Sequence, residues 1–134
     1  MVDGDGIPLA VVLTGANRHD SMALTTVVDV VRPVRQKRGR PRRRPAKLHA
    51  DKAYDFDRCR RDLRARSITP RIARRGIEGS SHLGKHRWVV ERTFAWINRF
   101  RRLVVRYERH ADLYRAFLTI AAAIIAFRAR KRFC

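Results

Sequence analysis

The sequence predicts an α/β fold, a sheet covered by helices, and three features point to it. Hydrophobic residues make up 45% of the chain, enough to build a packed core despite the heavy charge. Short apolar segments alternate with segments of helical periodicity, the order expected of a sheet with covering helices. The length of 134 residues suits one domain. We therefore predict a single α/β unit over residues 1–134.

A hairpin turn and a strand are the first predicted elements. Two Asp-Gly pairs at residues 3–6 are typical of a hairpin turn, and the apolar run at residues 7–14 favours a largely buried strand. Only Met1 and Val2 stand before the turn, so the strand that would pair with residues 7–14 is nearly absent. We therefore expect a sheet without its first strand.

A helix and a basic loop follow. Asp20 or Ser21 is an N-cap candidate, apolar residues then recur at helical spacing as far as Val31, and Pro33 ends the pattern. Residues 35–45 are almost all basic, with Gly and Pro between them, which predicts a loop. This basic loop is either a solvated linker or a loop that contacts phosphates. The sequence leaves both possibilities open.

The middle of the chain predicts a second strand, helix and strand. Residues 46–50 form a short strand candidate that ends at Asp51. A helix is then expected from Asp55 or Asp57 to Arg66, and residues 68–73 favour another strand. In open α/β sheets ligands bind beyond the carboxyl ends of the strands, which is where Asp51 would lie.

Two longer helices complete the predicted fold. Residues 74–85 are rich in Gly and Ser and predict a flexible connection. Residues 86–103 predict one continuous helix with an apolar stripe through Val90 and Phe94. A last helix is expected over residues 111–130, with a packed apolar middle and basic ends.

The charge of the chain favours a polyanionic partner. The formal net charge is +20, from 32 Lys and Arg against 12 Asp and Glu, and such a surface concentrates nucleic acid by releasing its counterions. No segment has the basic amphipathic pattern of a lipid-binding helix, and the longest apolar stretch is far shorter than the roughly 20 residues that span a bilayer. A secretory signal is not evident, and the two cysteines suit no disulfide framework. We expect no membrane partner and a cytoplasmic protein associated with the nucleoid.

Two acidic residues are candidates for metal binding. Asp51 ends an apolar strand, and Glu91 lies within a helix between Val90 and Phe94. Two carboxylates that face each other can hold the divalent ions that cleave or transfer phosphodiesters, and hard oxygen ligands favour Mg²⁺. In the simpler interpretation Asp51 is a strand-end turn residue and Glu91 forms a surface ion pair with Arg87. Spacing alone leaves both interpretations open.

Three segments resemble a known family. The sequence HADKAYD at residues 49–55 and the sequence GKHRWVVERTFAWINRFRRL at residues 84–103 resemble the second and third acidic blocks of bacterial insertion-sequence transposases of the DDE type. The chain is most similar to the family named after insertion sequence five, and residues 2–21 resemble that family's hairpin and following helix. Arg87, three intervening residues and Glu91 match the centre of the family's Tyr-Arg-Glu-Lys signature.

The resemblance implies a ribonuclease H-like mixed sheet with flanking helices and a first catalytic Asp on a strand ahead of the hairpin. Asp51 and Glu91 would join that Asp in binding Mg²⁺ or Mn²⁺, whereas Asp3 and Asp5 belong to the turn and are poor substitutes. Water would then attack the phosphodiester at the end of the element, and the released 3′-hydroxyl would attack target DNA. By the same resemblance the chain is the C-terminal part of a catalytic domain and is expected to be incomplete by itself.

DNA contacts are also implied. The signature's Tyr position is Gly84 here and its Lys position is Asn98, so Arg102, or Arg99 beside it, is expected to supply the missing charge. On a continuous helix Arg87, Glu91, Asn98 and Arg102 would lie roughly on one face. The expected DNA-binding residues are therefore Lys85, Arg87, Asn98, Arg99 and Arg102.

The expected partners are the DNA of the element ends and of the target. A homodimer, or complementation by a polypeptide from an upstream reading frame, would complete the enzyme. In the alternative interpretation the chain is a basic nucleic-acid-binding module without catalysis.

Overall fold

The computed structural model describes residues 1–35, 39–76 and 84–132, and the side chains of residues 84–87 and 131–132 lie outside the described part. The chain divides into two compact units. The middle unit is Thr14–Lys85, and the terminal unit combines Met1–Leu13 with His86–Cys134.

The middle unit contains a small parallel sheet. Strands β1 (Lys47–Ala50) and β2 (Thr69–Ile72) pair with Lys47 opposite Thr69 and Ala50 opposite Ile72. The helical elements are a 3₁₀ helix at Asp20–Ala23, α1 at Leu24–Asp29, a second 3₁₀ helix at Lys52–Tyr54, and α2 at Asp57–Ala65. The strands and helices expected in this region are confirmed, although α1 ends two residues before Val31.

The core of the middle unit centres on the end of α2. Leu63 and Ile68 are each only 1% exposed. Ser67 has a φ of 58° and ends the helix in the left-handed conformation, its amide donating to the Arg64 carbonyl while the Ile68 amide donates to the Leu63 carbonyl. This is a Schellman cap, which normally takes glycine at the left-handed position. It turns the chain so that Ile68 packs beside Leu63 and enters β2.

An ion pair joins the two helices of the middle unit. Arg66 donates from Nε and Nη2 to the two carboxylate oxygens of Asp29 at 3.0 and 2.7 Å. These hydrogen bonds lower the pKa of Asp29 below its ordinary value. In the basic loop, the described residues form one isolated bridge between Val34 and Arg42, as expected of a loop, and residues 36–38 lie outside the description.

The terminal unit consists of a turn and three helices. These are α3 (Gly84–Ile97), α4 (Arg101–Val104) and α5 (Ala111–Arg132). The last helix confirms the prediction for residues 111–130. The expected connection at residues 74–85 lies largely outside the described residues, and its last two positions already belong to α3.

The predicted turn is present, but the predicted strand after it is not. Asp3 Oδ1 accepts hydrogen bonds from the amides of Asp5 and Ile7 at 2.9 and 2.8 Å. Within the described residues, the antiparallel pairing at this turn is one isolated bridge between Val2 and Pro8. The strand predicted at residues 7–14 is therefore wrong here, because the described residues form this single bridge and no ladder.

The predicted continuous helix over residues 86–103 is also wrong. Helix α3 ends at Ile97, and Phe100 has an extended backbone with a ψ of 104° before α4 begins. This break brings Leu103 into the core at 8% exposure. The expected stripe is displaced as well, since Val90 and Phe94 are 44% and 60% exposed. The face of α3 that is buried carries Val89 and Thr93, at 8% and 4% exposure.

Thr93 explains why a polar residue occupies the buried face of α3. Its hydroxyl donates to the Gly6 carbonyl at 2.6 Å, so the turn at residues 3–6 packs directly on the helix. Apolar periodicity could not predict this contact, because it assigns Thr to the polar face. Among the described helices, none combines the length and the apolar character needed to cross a membrane.

Candidate active site and nucleic-acid interface

Asp51 lies at the carboxyl end of β1, as the sequence predicts. It is exposed and stands at the N-cap of the 3₁₀ helix Lys52–Tyr54, where its side chain accepts a hydrogen bond from the Lys52 amide. Its carbonyl accepts from the Tyr54 amide at 2.9 Å. Asp51 therefore caps the turn that follows the strand, which is compatible with the strand-end turn residue of the simpler interpretation, and its carboxylate also lies at the surface of the protein.

A network of charged side chains holds the segment that follows Asp51. Asp55 accepts from Arg60 Nη2 at 2.5 Å and from the Arg75 amide at 2.8 Å, and these bonds lower the pKa of the Asp55 carboxyl below its ordinary value. Arg75 Nε donates to the Lys52 carbonyl at 3.0 Å, and Arg60 donates to the Ile72 carbonyl at 3.0 Å. The residues after β1 are thereby fastened to the end of β2, which fixes the backbone that presents Asp51.

A second polar cluster lies under the same segment. Ser21 is 3% exposed, and its hydroxyl is 2.8 Å from His19 Nδ1 and 3.2 Å from Arg58 Nη2. His19 is the N-cap of the first 3₁₀ helix, so the cap lies just before the expected Asp20 or Ser21, both of which belong to the helix. Burial first, and then the charges of Asp20 and Asp51, raise the pKa of Tyr54. The carboxylate of Asp51 thus acts electrostatically on Tyr54.

Glu91 lies on α3 in the terminal unit, and its side chain is exposed. The two residues that follow Glu91 anchor the helix. Arg92 donates to the Asp5 carbonyl, and Thr93 donates to the Gly6 carbonyl. The turn at residues 3–6 therefore fixes the part of α3 that carries Glu91. Asp51 belongs to the middle unit and Glu91 to the terminal unit.

Arg92 is committed to packing rather than to a ligand. Its guanidinium carbon lies 4.6 Å from the ring centroid of Trp88 and 5.0 Å from that of Trp96. Arg92 Nε is buried and has no hydrogen-bond partner among the described atoms. Cation–π contacts of this kind contribute about 0.5–2 kcal/mol. Trp88 is 48% exposed and Trp96 is half-buried, so neither ring belongs to a closed core.

The expected DNA-binding residues divide into three groups. Asn98 and Arg99 are exposed in the turn after α3. Arg102 donates to Glu108 at 2.9 Å and lies over the ring of Phe117, so its charge is partly compensated. The side chains of Lys85 and Arg87 lie outside the described residues. Because α3 ends at Ile97, the expected face shared by Glu91, Asn98 and Arg102 on one helix is not formed.

A cavity of about 210 Å³ lies beside Arg99 within the terminal unit. Its lining combines one acid, three arginines, and aromatic and aliphatic side chains. The charged and aromatic members are Asp5, Arg92, Arg99, Arg128, Trp96 and Phe100. Arg99 and Arg128 are exposed at this cavity. The pair therefore offers two guanidinium groups to an anion, and neither forms an ion pair among the described contacts.

The described residues contain no group of three or more His, Cys, Asp or Glu side chains placed to hold a metal ion. The predicted metal ligands are the carboxylates of Asp51 and Glu91. Both side chains are exposed, and both supply the hard oxygen atoms that Mg²⁺ prefers. Their chemistry suits a divalent cation.

The sequence did not reveal the network around Asp55 or the cluster around Ser21. Asp55 lies in the HADKAYD segment that resembles the family. Its partners Arg60 and Arg75, however, are two of many arginines in a chain that contains 32 Lys and Arg residues. Only the folded chain distinguishes them from the arginines that face solvent.

Comparisons with known proteins agree with the resemblance. Residues 1–126 match the family described as Transposase DDE domain. The chain is 48% identical over 132 residues to a Burkholderia cepacia protein named "Putative transposase for insertion sequence element IS402". The match covers 98% of this chain and 63% of that relative's length. No solved structure matches the chain significantly.

Proposed function

The chain belongs to the transposase DDE domain family, and we propose from that premise that it takes part in Mg²⁺-dependent cleavage and transfer of DNA strands during transposition of an insertion sequence. The single observation that supports this most is the family match over residues 1–126, because it includes both candidate acids. Since the chain spans 63% of its relative's length, the activity of a complete transposase is part of the proposal.

In this proposal Asp51 and Glu91 are the second and third acids of the DDE set, and together they hold Mg²⁺ or Mn²⁺. When bound, such ions activate the attacking oxygen and stabilise the leaving oxygen of a phosphodiester. The exposure of both carboxylates supports the assignment, since a ligand that must meet DNA has to be accessible. Asp3 has a structural role instead, because its Oδ1 accepts hydrogen bonds from two amides of its own turn.

Neighbouring residues hold each of the two acids in place. The bonds from Asp55 to Arg60 and Arg75 fasten the segment after Asp51 to the end of β2. The bonds from Thr93 and Arg92 to the turn at residues 3–6 fix α3 beside Glu91. Electrostatic catalysis depends on carboxylates that are already in place before the substrate binds. Asp55 is therefore a positioning residue in this proposal.

DNA is the proposed partner, both as element ends and as target. Asn98 and Arg99, with Arg128 beside them, would contact phosphate oxygens, since exposed guanidinium groups bind these bidentately. Lys85 and Arg87 remain in the proposal on the family resemblance alone. Arg102 contributes less than Arg99, because Glu108 already accepts from it. We further propose that a second polypeptide supplies the remaining acid, with action in the cytoplasm at the nucleoid.

The decisive experiment is a nicking assay on supercoiled plasmid carrying the ends of an insertion sequence, with Mg²⁺ and with chelator. Asp51→Asn and Glu91→Gln should each reduce Mg²⁺-dependent nicking to background. Asp57→Asn is the matched control, because Asp57 is an exposed acid six residues from Asp51. If nicking survives in both site variants, the assignment of the acids is wrong.

The DNA-binding part has its own test. The logarithm of the association constant for duplex DNA should fall linearly with the logarithm of the salt concentration, and Arg99→Ala should reduce the magnitude of that slope by about 0.9, the value for one lost phosphate contact. Arg64→Ala, at an exposed arginine of the middle unit, is the control. An unchanged slope in Arg99→Ala would remove this residue from the interface.

A basic nucleic-acid-binding module without catalysis is the second candidate function. The net charge of +20 favours it, because that charge supports DNA binding whether or not a metal is held. Binding without nicking, in the chain alone and after addition of an extract from cells that carry the complete element, would favour this second function.

A further inference from the structure

The outer face of α5 carries a regular apolar stripe. Leu113, Ile120 and Phe127 are 50%, 55% and 58% exposed, and Ala116 and Ala123 between them are exposed as well. We name these five residues the outer seam. The opposite side of the same helix is buried in the terminal unit through Ala121 and Ile125, at 1% and 7% exposure. The outer seam is thus a second apolar face on a helix that already has a core face.

The spacing of the outer seam is that of a coiled coil. Its members are separated by three, four, three and four residues, which is the a and d repeat of a heptad. A helix that only covers its own domain needs one apolar face. The whole segment between Ala116 and Phe127 contains no charged residue, although 33% of the chain is charged. A packed helix is therefore the kind of partner that fits the outer seam.

We propose that the outer seam binds the same seam of a second copy, with the two α5 helices antiparallel. The alternation of large and small side chains selects this arrangement. When the helices run in opposite directions in the matching register, Phe127 of one copy faces Ala116 of the other, and Ile120 faces Ala123. Ile120 and Phe127 then each fill the space left by an alanine of the other copy, as close packing requires, and Leu113 packs against the aliphatic stem of Arg130 at the end of the seam.

A parallel pair would pack poorly. Like residues would face each other, so the Ala layers would leave cavities and the Phe layer would be crowded. Charge gives the same preference. Asp112 has 91% of its side chain exposed near the start of the helix, and Arg130 is exposed near its end. The antiparallel arrangement brings these opposite charges together, whereas the parallel one places Asp112 beside Asp112 and Arg130 beside Arg130.

The size of the seam sets the expected affinity. From Leu113 to Phe127 the helix rises about 21 Å at 1.5 Å per residue. A contact of that length buries less than the roughly 800 Å² per partner of a standard interface, so we expect a dissociation constant in the micromolar range. The net charge of +20 on each copy opposes association, and salt screens it. Dimerisation through the outer seam should therefore strengthen as salt rises, whereas association bridged by DNA should weaken.

Sedimentation equilibrium of the full chain, freed of nucleic acid, tests the proposal at low and high salt. We expect a monomer–dimer equilibrium that shifts towards dimer in high salt. Ile120→Glu places a charge at the centre of the seam and should weaken the dimer tenfold or more. The matched control is Val104→Glu, since Val104 is 58% exposed in the same unit and outside the seam. Circular dichroism of both variants establishes that they remain folded.

Disulfide trapping tests the orientation. In a chain carrying Cys134→Ser the remaining native thiol is the buried Cys59. A mixture of Ala116→Cys and Phe127→Cys chains should cross-link between the two species, and neither should cross-link efficiently alone. A monomer at high salt and high concentration, equal loss of dimer in Ile120→Glu and Val104→Glu, or efficient cross-linking of Ala116→Cys with itself would each overturn the proposal.

Discussion

The two units bury and expose their apolar residues differently. Among the described residues, the middle unit holds eight of the thirteen buried hydrophobic side chains, and the terminal unit holds five. The large apolar side chains that remain exposed show the reverse, with four in the middle unit and ten in the terminal unit. The middle unit therefore satisfies its apolar residues internally, whereas the terminal unit leaves many of them at the surface.

The polar contacts around the two candidate acids also differ, although the terminal unit contains ion pairs such as Arg102 with Glu108 and the middle unit has Arg75 over Phe56. In the middle unit, aspartate–arginine pairs join one element to another, as Asp29 with Arg66 and Asp55 with Arg60. In the terminal unit arginines lie over aromatic rings, as Arg92 over Trp88 and Trp96. The two candidate acids are therefore held in place by different forces. Asp51 is presented by an ionic network, and Glu91 by a helix that needs a docked turn.

The largest effect should come from the core of the middle unit. Leu63→Ala should lower the free energy of unfolding by about 2–5 kcal/mol, because Leu63 is 1% exposed and truncation leaves a cavity. Leu113→Ala makes the same chemical change at a residue of the terminal unit that is 50% exposed, and should cost less than about 0.5 kcal/mol in dilute protein. Urea titration followed by circular dichroism measures both, and equal losses would contradict the comparison.

A smaller effect is expected at the turn that docks on α3. Gly6 has a φ of 74°, and a Cβ there would lie 3.0 Å from both Thr93 Oγ1 and the Val89 carbonyl oxygen. Gly6→Ala should therefore cost about 1–3 kcal/mol. Tryptophan fluorescence measures it, since Trp88 and Trp96 are the two tryptophans of the chain and contact Arg92.

Gly4→Ala is the matched control for Gly6→Ala. No atom lies within 4 Å of a Cβ built at Gly4, so this variant should unfold as the parent protein does. If the two alanine variants lose the same stability, the docking of the turn on α3 does not stabilise the terminal unit.

The smallest effect concerns pH. The pKa of Asp55 is lower in the folded chain, because the Arg75 amide and Arg60 hydrogen-bond its carboxylate. Its stabilising contribution is therefore complete above the ordinary pKa of a carboxyl group and is lost as the pH falls through the lowered value. Asp55→Asn should reduce the melting temperature by a few degrees at neutral pH and converge with the parent protein in acid. If the difference in melting temperature between the variant and the parent protein stays constant down to pH 2, Asp55 does not act through its charge.

The fold was predictable where local sequence pattern and tertiary structure agree. The strand that precedes Asp51, helix α2 and helix α5 follow from the pattern of apolar residues in the sequence. Prediction failed where a contact between residues far apart in the sequence determines which side chains are buried. The turn at residues 3–6 buries Thr93 and leaves Phe94 exposed, which no periodicity shows. The break at Phe100 likewise depends on Leu103 entering the core, a preference that helix propensity does not contain.

The candidate site divides in the same way. Asp51 and Glu91 were identifiable because acids in apolar surroundings are unusual and because their segments resemble a family. Asp55 and Ser21 were not, since their roles depend on arginines 5 and 37 residues away.

By itself the sequence determined the family, the net charge that favours a polyanionic partner and the choice of two candidate acids, because composition and short motifs are properties of the chain before it folds. Tertiary structure alone decided which arginines neutralise an acid and which face solvent, and which side of α3 is buried. It also decided that α5 has two apolar faces of different use. The physical reason is that burial and ion pairing depend on which atoms come within a few ångströms, and residues far apart in the chain determine that.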